Sequence, residues 1–570
     1  MNFSTYFRQY LIFLLFLGFS ITPQLYAQSK ATISGDFPDP SVIFANGKYY
    51  SVGTSSEWAP HLPIYSSDDL NNWKQEGFVF NKTPDWIGSS FWAPEYFYQN
   101  GTYYMYYSAK RKSDGVSCIG VATSKYPDKG FVDHGIVVEY GTESIDAYVL
   151  RDGKDLYMTW KAYGLDKRPI EILGSRLSED GLKLVGEPFS ILQDTAKIGI
   201  EGQSFVQKDG YYYMFYSAGA CCGPGCDYHV QAVRSKSIKG PYEDVGQAVL
   251  LGNNNNWKCM GHGTFVKDKK GDYYYLFHGY SNYGTIYTGR QGLLAKLEWS
   301  DKGDPVFDFV PDGNKLSDVN LNLNFKKLKE SEFFGQWDFR VSHPQWILNN
   351  QGLTLSSTES KDNIIGTVLT WRPATRIYNL SSQIDLKSSS ENALKGLAIY
   401  GDKNGALGVG VQEDKIKVWK AMGTEINTLK EFDLPINLNT IELKIQTNAD
   451  LSVNAFYRIE KGDWITLELS PDMSYSIKDF APWDRSPRPG IHLQGKENEK
   501  VVFWNFSLRY YKINSSAFKR VKTRIFAFGV YFLDRRYIVH LSLEFIQQYV
   551  TDPGKVLYSF YRCRYSLCIV

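Results

Sequence analysis

The sequence has no surplus of either charge. Its 63 Lys and Arg stand against 61 Asp and Glu in 570 residues, a net charge of +2. Such a balance calls for neither nucleic acid nor an acidic partner. Helical periodicity is nearly absent from residues 30 to 310, which argues against a helical or α/β domain there. The apolar run Leu11 to Phe19 is too short to span a bilayer, and no stop-transfer pattern follows it. With Arg8 before it and Leu25-Tyr26-Ala27 ahead of Gln28, the segment reads as a signal peptide over residues 1–27, hence a secreted or periplasmic protein. No Cys sits just after the run, which excludes a lipid anchor at that point. Cysteine is scarce: five of the seven are Cys118, Cys221, Cys222, Cys226 and Cys259. In an exported chain they allow two bridges with one thiol left over. The spacing Cys221-Cys222-x3-Cys226-x2-His229 matches no standard zinc ligand pattern.

Aromatic residues are abundant, at 16%, with 41 Tyr and 14 Trp. They serve equally as strand formers and as flat, polar-handled surfaces for sugars. One phrase recurs five times: Gly47-Lys48-Tyr49-Tyr50, Gly101-Thr102-Tyr103-Tyr104, Gly153-Lys154-Asp155-Leu156-Tyr157, Gly210-Tyr211-Tyr212-Tyr213 and Gly271-Asp272-Tyr273-Tyr274. Each is a glycine turn leading into a strand. The glycines are 54, 52, 57 and 61 residues apart, a period that suits a four-stranded propeller blade. Ile64-Tyr65-Ser66-Ser67, Val121-Ala122-Thr123-Ser124, Leu173-Gly174-Ser175-Arg176 and Val233-Arg234-Ser235-Lys236 read as third strands. The expected fold is all-β, a five-bladed β-propeller over residues 30–315.

Six to nine residues before the five glycines stand Asp39, Glu95, Asp146, Glu201 and His262. First strands line a propeller's axis, so these side chains are expected at or near one axial funnel. Four carboxyls and an imidazole gathered there are costly without a role.

On these motifs the sequence resembles glycoside hydrolase family 43 over about residues 33 to 310. Phe37-Pro38-Asp39-Pro40-Ser41 resembles the first-blade motif, which implies Asp39 as general base. Trp58-Ala59-Pro60 and Phe91-Trp92-Ala93-Pro94-Glu95 are similar to segments that build the sugar pocket, which implies Trp58 and Trp92 as substrate contacts and Glu95 as structural. Ser144-Ile145-Asp146-Ala147 implies Asp146 as the residue that orients the acid and raises its pKa. Ile200-Glu201-Gly202 implies Glu201 as general acid, with Gln203 standing where many members have Pro. Gly261-His262-Gly263 implies an axial imidazole near a calcium held mostly by water, with no cofactor required. Gly289-Arg290-Gln291 implies Arg290 on the sugar near the acid.

The resemblance implies an inverting hydrolase that releases terminal arabinofuranose or xylose from plant-type polysaccharides or oligosaccharides. Alternatives are an arabinan- or galactan-type hydrolase, galactofuranosidase included, and a catalytically silent glycan-binding propeller. From about residue 330 alternating strands such as Leu353-Thr354-Leu355 and Gly396-Leu397-Ala398-Ile399-Tyr400 predict a β-sandwich over 325–510, resembling the concanavalin-like domain that trails such propellers. Residues 511–570, with ten Lys or Arg against three Asp or Glu, fit neither pattern and form a tail of unknown structure.

Overall fold

The computed structural model describes residues 31–165, 167–310, 319–357, 363–511, 524–525, 540–551 and 555–566. The expected signal peptide lies outside the described residues. The fivefold echo becomes five blades of four antiparallel strands. Blade 1 is Ser41–Ala45, Lys48–Val52, His61–Ser67 and Lys74–Phe80. Blade 2 is Ile87–Gln99, Thr102–Arg111, Ser117–Ser124 and Val132–Val138. Blade 3 is Glu143–Asp152, Asp155–Tyr163, Glu171–Leu177 and Phe189–Gln193. Blade 4 is Ile200–Lys208, Tyr211–Ala218, His229–Ser235 and Glu243–Asp244. Blade 5 is Trp257–Lys267, Tyr273–Ser281, Arg290–Trp299 and Pro305–Phe309.

All five repeat glycines have positive φ, from +58° at Gly153 to +93° at Gly271, the backbone state that a tight turn demands and only glycine adopts freely. The four phrases expected as third strands are third strands. Buried side chains fill the seams between neighbouring blades: Ile64 and Met105, Val121 and Trp160, Ile172 and Met214, Phe215 and Tyr275, Val42 and Leu276. The ring closes where Ile33 exchanges backbone hydrogen bonds of 3.1 and 2.9 Å with Gly292.

Beyond the propeller two sheets stack as a sandwich. A nine-stranded sheet includes Gly352–Ser356, Tyr378–Asp385 and Thr440–Thr447, and a six-stranded sheet includes Leu394–Asp402, Gly405–Gln412 and Arg488–Gln494. Leu353, Leu380 and Ile441 from one meet Leu397, Val409 and Ile491 from the other in a shared core. Residues Tyr511–Val570 form a separate unit, in which His540–Thr551 and Lys555–Ser566 make a hairpin with Arg524–Ile525 alongside.

The sandwich docks on blade 1. Trp58–Ala59 pairs antiparallel with Trp337–Asp338. Trp58 is 1% exposed, with the Arg488 guanidinium 4.3 Å from its ring and Tyr400 at its edge. Trp58 was expected to touch sugar. It is instead the anchor of the domain junction, because the face offered to solvent in a lone propeller is covered by Arg488. Arg488 also donates to Gln336 Oε1 at 2.8 Å and lies 3.7 Å from the Asp36 carboxylate.

Removing one partner of a buried ion pair costs about 3–5 kcal/mol. Arg488→Ala is therefore expected to lower unfolding free energy by about that amount, read from urea denaturation of the full chain. A loss below about 1 kcal/mol would mean that the junction does not depend on this guanidinium.

Candidate active site

At the axial end of every blade one residue adopts a left-handed backbone: Asp39 (φ 50°), Ala93 (43°), Asp146 (61°), Gly202 (62°) and His262 (37°). Asp39 leads into blade 1. The other four sit where the first strand breaks register with the second, at bulges that end regular pairing. Such a turn aims the backbone N–H away from the ladder, so it needs another acceptor. A side chain of the preceding blade supplies it. Thr54 Oγ1 accepts from Ala93 at 2.8 Å, Ser108 Oγ from Asp146 at 3.0 Å, Ser217 Oγ from His262 at 2.7 Å and His278 Nδ1 from Asp39 at 3.0 Å. Gly202 donates to Asp146 Oδ2 at 3.0 Å. An added Cβ at Gly202 would stand 2.7 Å from the His262 ring, so glycine is required there.

This ring gathers the carboxyls. Asp39 Oδ1 receives Arg290 Nη1 at 3.0 Å and Asp39 Oδ2 receives the Thr54 hydroxyl at 2.7 Å. Burial pushes the Asp39 carboxyl up, but the Arg290 guanidinium outweighs it and holds the group well below the usual carboxylate range. His278, fully buried, is pushed down to about 4 by desolvation, so its ring is neutral and free to accept at Nδ1. His262 Nδ1 stands 3.5 Å from Asp39 Oδ1 and 3.6 Å from Asp146 Oδ2, bridging the two.

Glu201 is gripped at both oxygens: Tyr228 donates to Oε1 at 2.9 Å and Lys161 to Oε2 at 2.8 Å. Lys161 also lies 3.0 Å from Glu143. Burial raises the Asp146 carboxyl to about 7, helped by the Glu201 charge and opposed by His262. Burial acts on Glu201 in the same sense, yet the Lys161 ammonium draws it below the ordinary value. The expected elevation of Glu201 by Asp146 is thus reversed: the adjacent cation is stronger than the adjacent anion.

The family model for glycosyl hydrolases family 43 matches residues 29–305. An extracellular exo-alpha-(1->5)-L-arabinofuranosidase, ArbA of Cellvibrio japonicus, is 30% identical over 313 residues, 48% of this chain and 86% of that protein. The chain belongs to family 43. It is a glycoside hydrolase, acting on O-glycosyl bonds. An extracellular endo-alpha-(1->5)-L-arabinanase of Bacillus subtilis is 29% identical over 247 residues, 39% of this chain and 75% of that one. In fold the chain is similar to the crystal structure of the family 43 protein BlXynB from Bacillus licheniformis. That likeness has a TM-score of 0.72 at 22% identity and covers 85% of this chain and 99% of the other.

Against this family 43 frame, Asp39, Asp146, Glu201, His262 and Arg290 come together. Glu95 does not. It lies two residues past the left-handed turn of its blade, fully buried beside Ser41, with desolvation raising its carboxyl to about 8. Arg290 was expected beside the acid and instead pairs with Asp39, its other Nη donating to the Asp484 carbonyl at 3.2 Å. Trp92 lies at a cleft with Trp483 of the sandwich, ring centres 6.4 Å apart, and with Lys110 5.5 Å above its ring. Among the described residues the cysteines form Cys221–Cys222 and Cys226–Cys259, leaving Cys118 free and buried.

Lys161, Tyr228, Thr54 and His278 were missed from sequence, though a signal existed. Thr54, Ser108, Ser217 and His278 each follow their repeat glycine by seven residues, and Lys161 by eight, because Gly153 is the first residue of its two-residue turn where Gly47, Gly101 and Gly210 are the second.

A buried N–H left without an acceptor costs about 1–3 kcal/mol. Ser108→Ala and Ser217→Ala are each expected to destabilise the protein by that amount in chemical denaturation. A change under about 0.5 kcal/mol in both would show the ring to be dispensable.

Proposed function

We propose that the protein is an inverting glycoside hydrolase that releases terminal arabinofuranose or xylose, with Asp39 as general base, Glu201 as general acid and Asp146 as the residue that fixes the acid's loop. The observation that carries this reading is an asymmetry of charge. Asp39 is held ionised by Arg290, while Asp146 and Glu201 are a buried pair that retains one proton up to about neutrality. A base must be ionised, which Arg290 ensures for Asp39, and an acid protonated, so the one proton of the buried pair, which rests on Asp146, must be on Glu201 when it donates. In the inverting route Asp39 takes a proton from water as that water attacks the anomeric carbon, and Glu201 protonates the departing oxygen. Asp146, accepting from the Gly202 N–H, holds the turn that carries Glu201.

Exo action is supported by the rim. The sandwich loop that carries Trp483 and Asp484 reaches Trp92 and Arg290, closing one side of the axial site and favouring a chain end. Export is supported by two disulfides. Calcium at His262 remains a proposal in which water supplies most ligands, since among the described residues no group of three or more His, Cys, Asp or Glu is placed to hold an ion. Its charge would steady the axial imidazole.

Two measurements test the assignment. Glu201→Ala should lose about 10²–10⁴-fold on alkyl or oligosaccharide glycosides and far less on aryl glycosides with acidic phenols, whereas Asp39→Ala should cripple both. The reverse pattern would exchange the roles. Proton NMR of the first sugar released should show the anomer opposite to the substrate's, and the same anomer would refute inversion.

A further inference from the structure

Lys161 occupies in blade 3 the place that Thr54, Ser108, Ser217 and His278 occupy in the other four. The residue just before each left-handed turn pairs across with it: Trp92 with Ser108, Ile145 with Lys161, Glu201 with Ser217, Gly261 with His278. An ammonium has no lone pair to offer the next blade's N–H, and the Asp146 carboxylate takes that duty. The amine is thereby released to cross to Glu201 at 2.8 Å while keeping Glu143 at 3.0 Å, with its side chain 12% exposed.

We propose that Lys161 is a positioning residue for the proton donor: it aims the Glu201 carboxyl and stabilises the carboxylate left when the proton departs, and Glu143 takes up the ammonium while Glu201 is protonated. The proposal rests on Glu201 being the general acid. In the step the Glu201 O–H bond breaks and a new O–H bond forms on the glycosidic oxygen. That oxygen keeps the electron pair of its breaking bond to the anomeric carbon, and the negative charge remains on Glu201 beside a cation. The result is a stronger acid, suited to poor leaving groups, that gives up its proton at lower pH. The groups facing Glu201 are Lys161, Glu143 and Asp146 from blade 3, Tyr228 from its own blade and His262 from blade 5, with the Asp39–Arg290 pair across the axis. Burial alone would raise Glu201, and the Lys161 ammonium opposes it first, with the Tyr228 hydroxyl adding to the effect.

The test is the pH dependence of kcat/KM for the full chain, on an aryl glycoside with an acidic phenol and on a glycoside with an alcohol leaving group. Lys161→Met should move the basic limb upward by about one pH unit and cost about tenfold more on the alcohol than on the phenol. Glu143→Gln should move the basic limb downward, and Lys161→Arg should keep it near the parent's. If Lys161→Met does not fold, Lys161→Ser, with the residue type of blades 2 and 4, carries the same expectations. Equal losses on both substrates with an unmoved basic limb would overturn the proposal and leave Lys161 a packing residue. A separate control is Glu201→Ala: loss without leaving-group selectivity removes the acid assignment itself, whatever the Lys161 variants do.

Discussion

Five backbone N–H groups near the propeller axis turn away from their own ladders because five residues there adopt left-handed φ, and each must find an acceptor within hydrogen-bond reach. Non-glycine residues in that region cost about 1–3 kcal/mol apiece, so the turn persists only where the surroundings determine it. The preceding blade does so, with a hydroxyl or a neutral imidazole at or just beyond its second strand in four cases and with the Asp146 carboxyl in the fifth. Blade-to-blade order is thus written in polar bonds at the axis as well as in the apolar seams. The left-handed turn also lifts Asp39, Asp146 and His262 out of the ladder and towards one another, which regular strands would not do.

The second constraint is charge. Asp39, Asp146, Glu201 and Glu143 share a buried to partly buried site with two permanent cations, Arg290 and Lys161. An unpaired buried carboxylate is expensive, and a paired one gives up its proton easily. The two cations are divided between the opposed carboxyls, one on Asp39 and one on Glu201, and Asp146 is left without a direct one. Its carboxyl accordingly keeps its proton to about 7. Asp146 serves as a hydrogen-bond partner because the neighbouring blade position, being Lys161, cannot.

The fold was legible because its signal is periodic: glycine turns, alternating aromatics and four third-strand phrases fell on one grid. The carboxyls Asp39, Asp146 and Glu201 were legible from the same grid. Glu95 shows its resolution, since a two-residue shift past the turn moves a side chain from the axis into the core, and an offset of six to nine cannot register that. Trp58 could not be read, because its partner Arg488 lies 430 residues away in sequence. Lys161 was readable in position but not in meaning: among hydroxyls and an imidazole it looks like an exception until its reach to the next blade is known.

The sandwich bears on the chemistry through Arg290. That residue is 4% exposed and held at three points: its backbone N–H donates to Asp36 Oδ1 at 3.1 Å, one Nη of the side chain to Asp39 at 3.0 Å and the other to the Asp484 carbonyl at 3.2 Å. Asp36 is itself tied to the sandwich through Ser486 and Arg488. The guanidinium that keeps the base ionised is therefore oriented by groups from both domains. A propeller alone would retain Asp39 and Arg290 but lose the carbonyl that fixes the second Nη, and a guanidinium free to rotate towards water would hold the Asp39 charge less firmly. The two domains are bound into one unit by the demand for a rigid cation at the base, as well as by the area they bury.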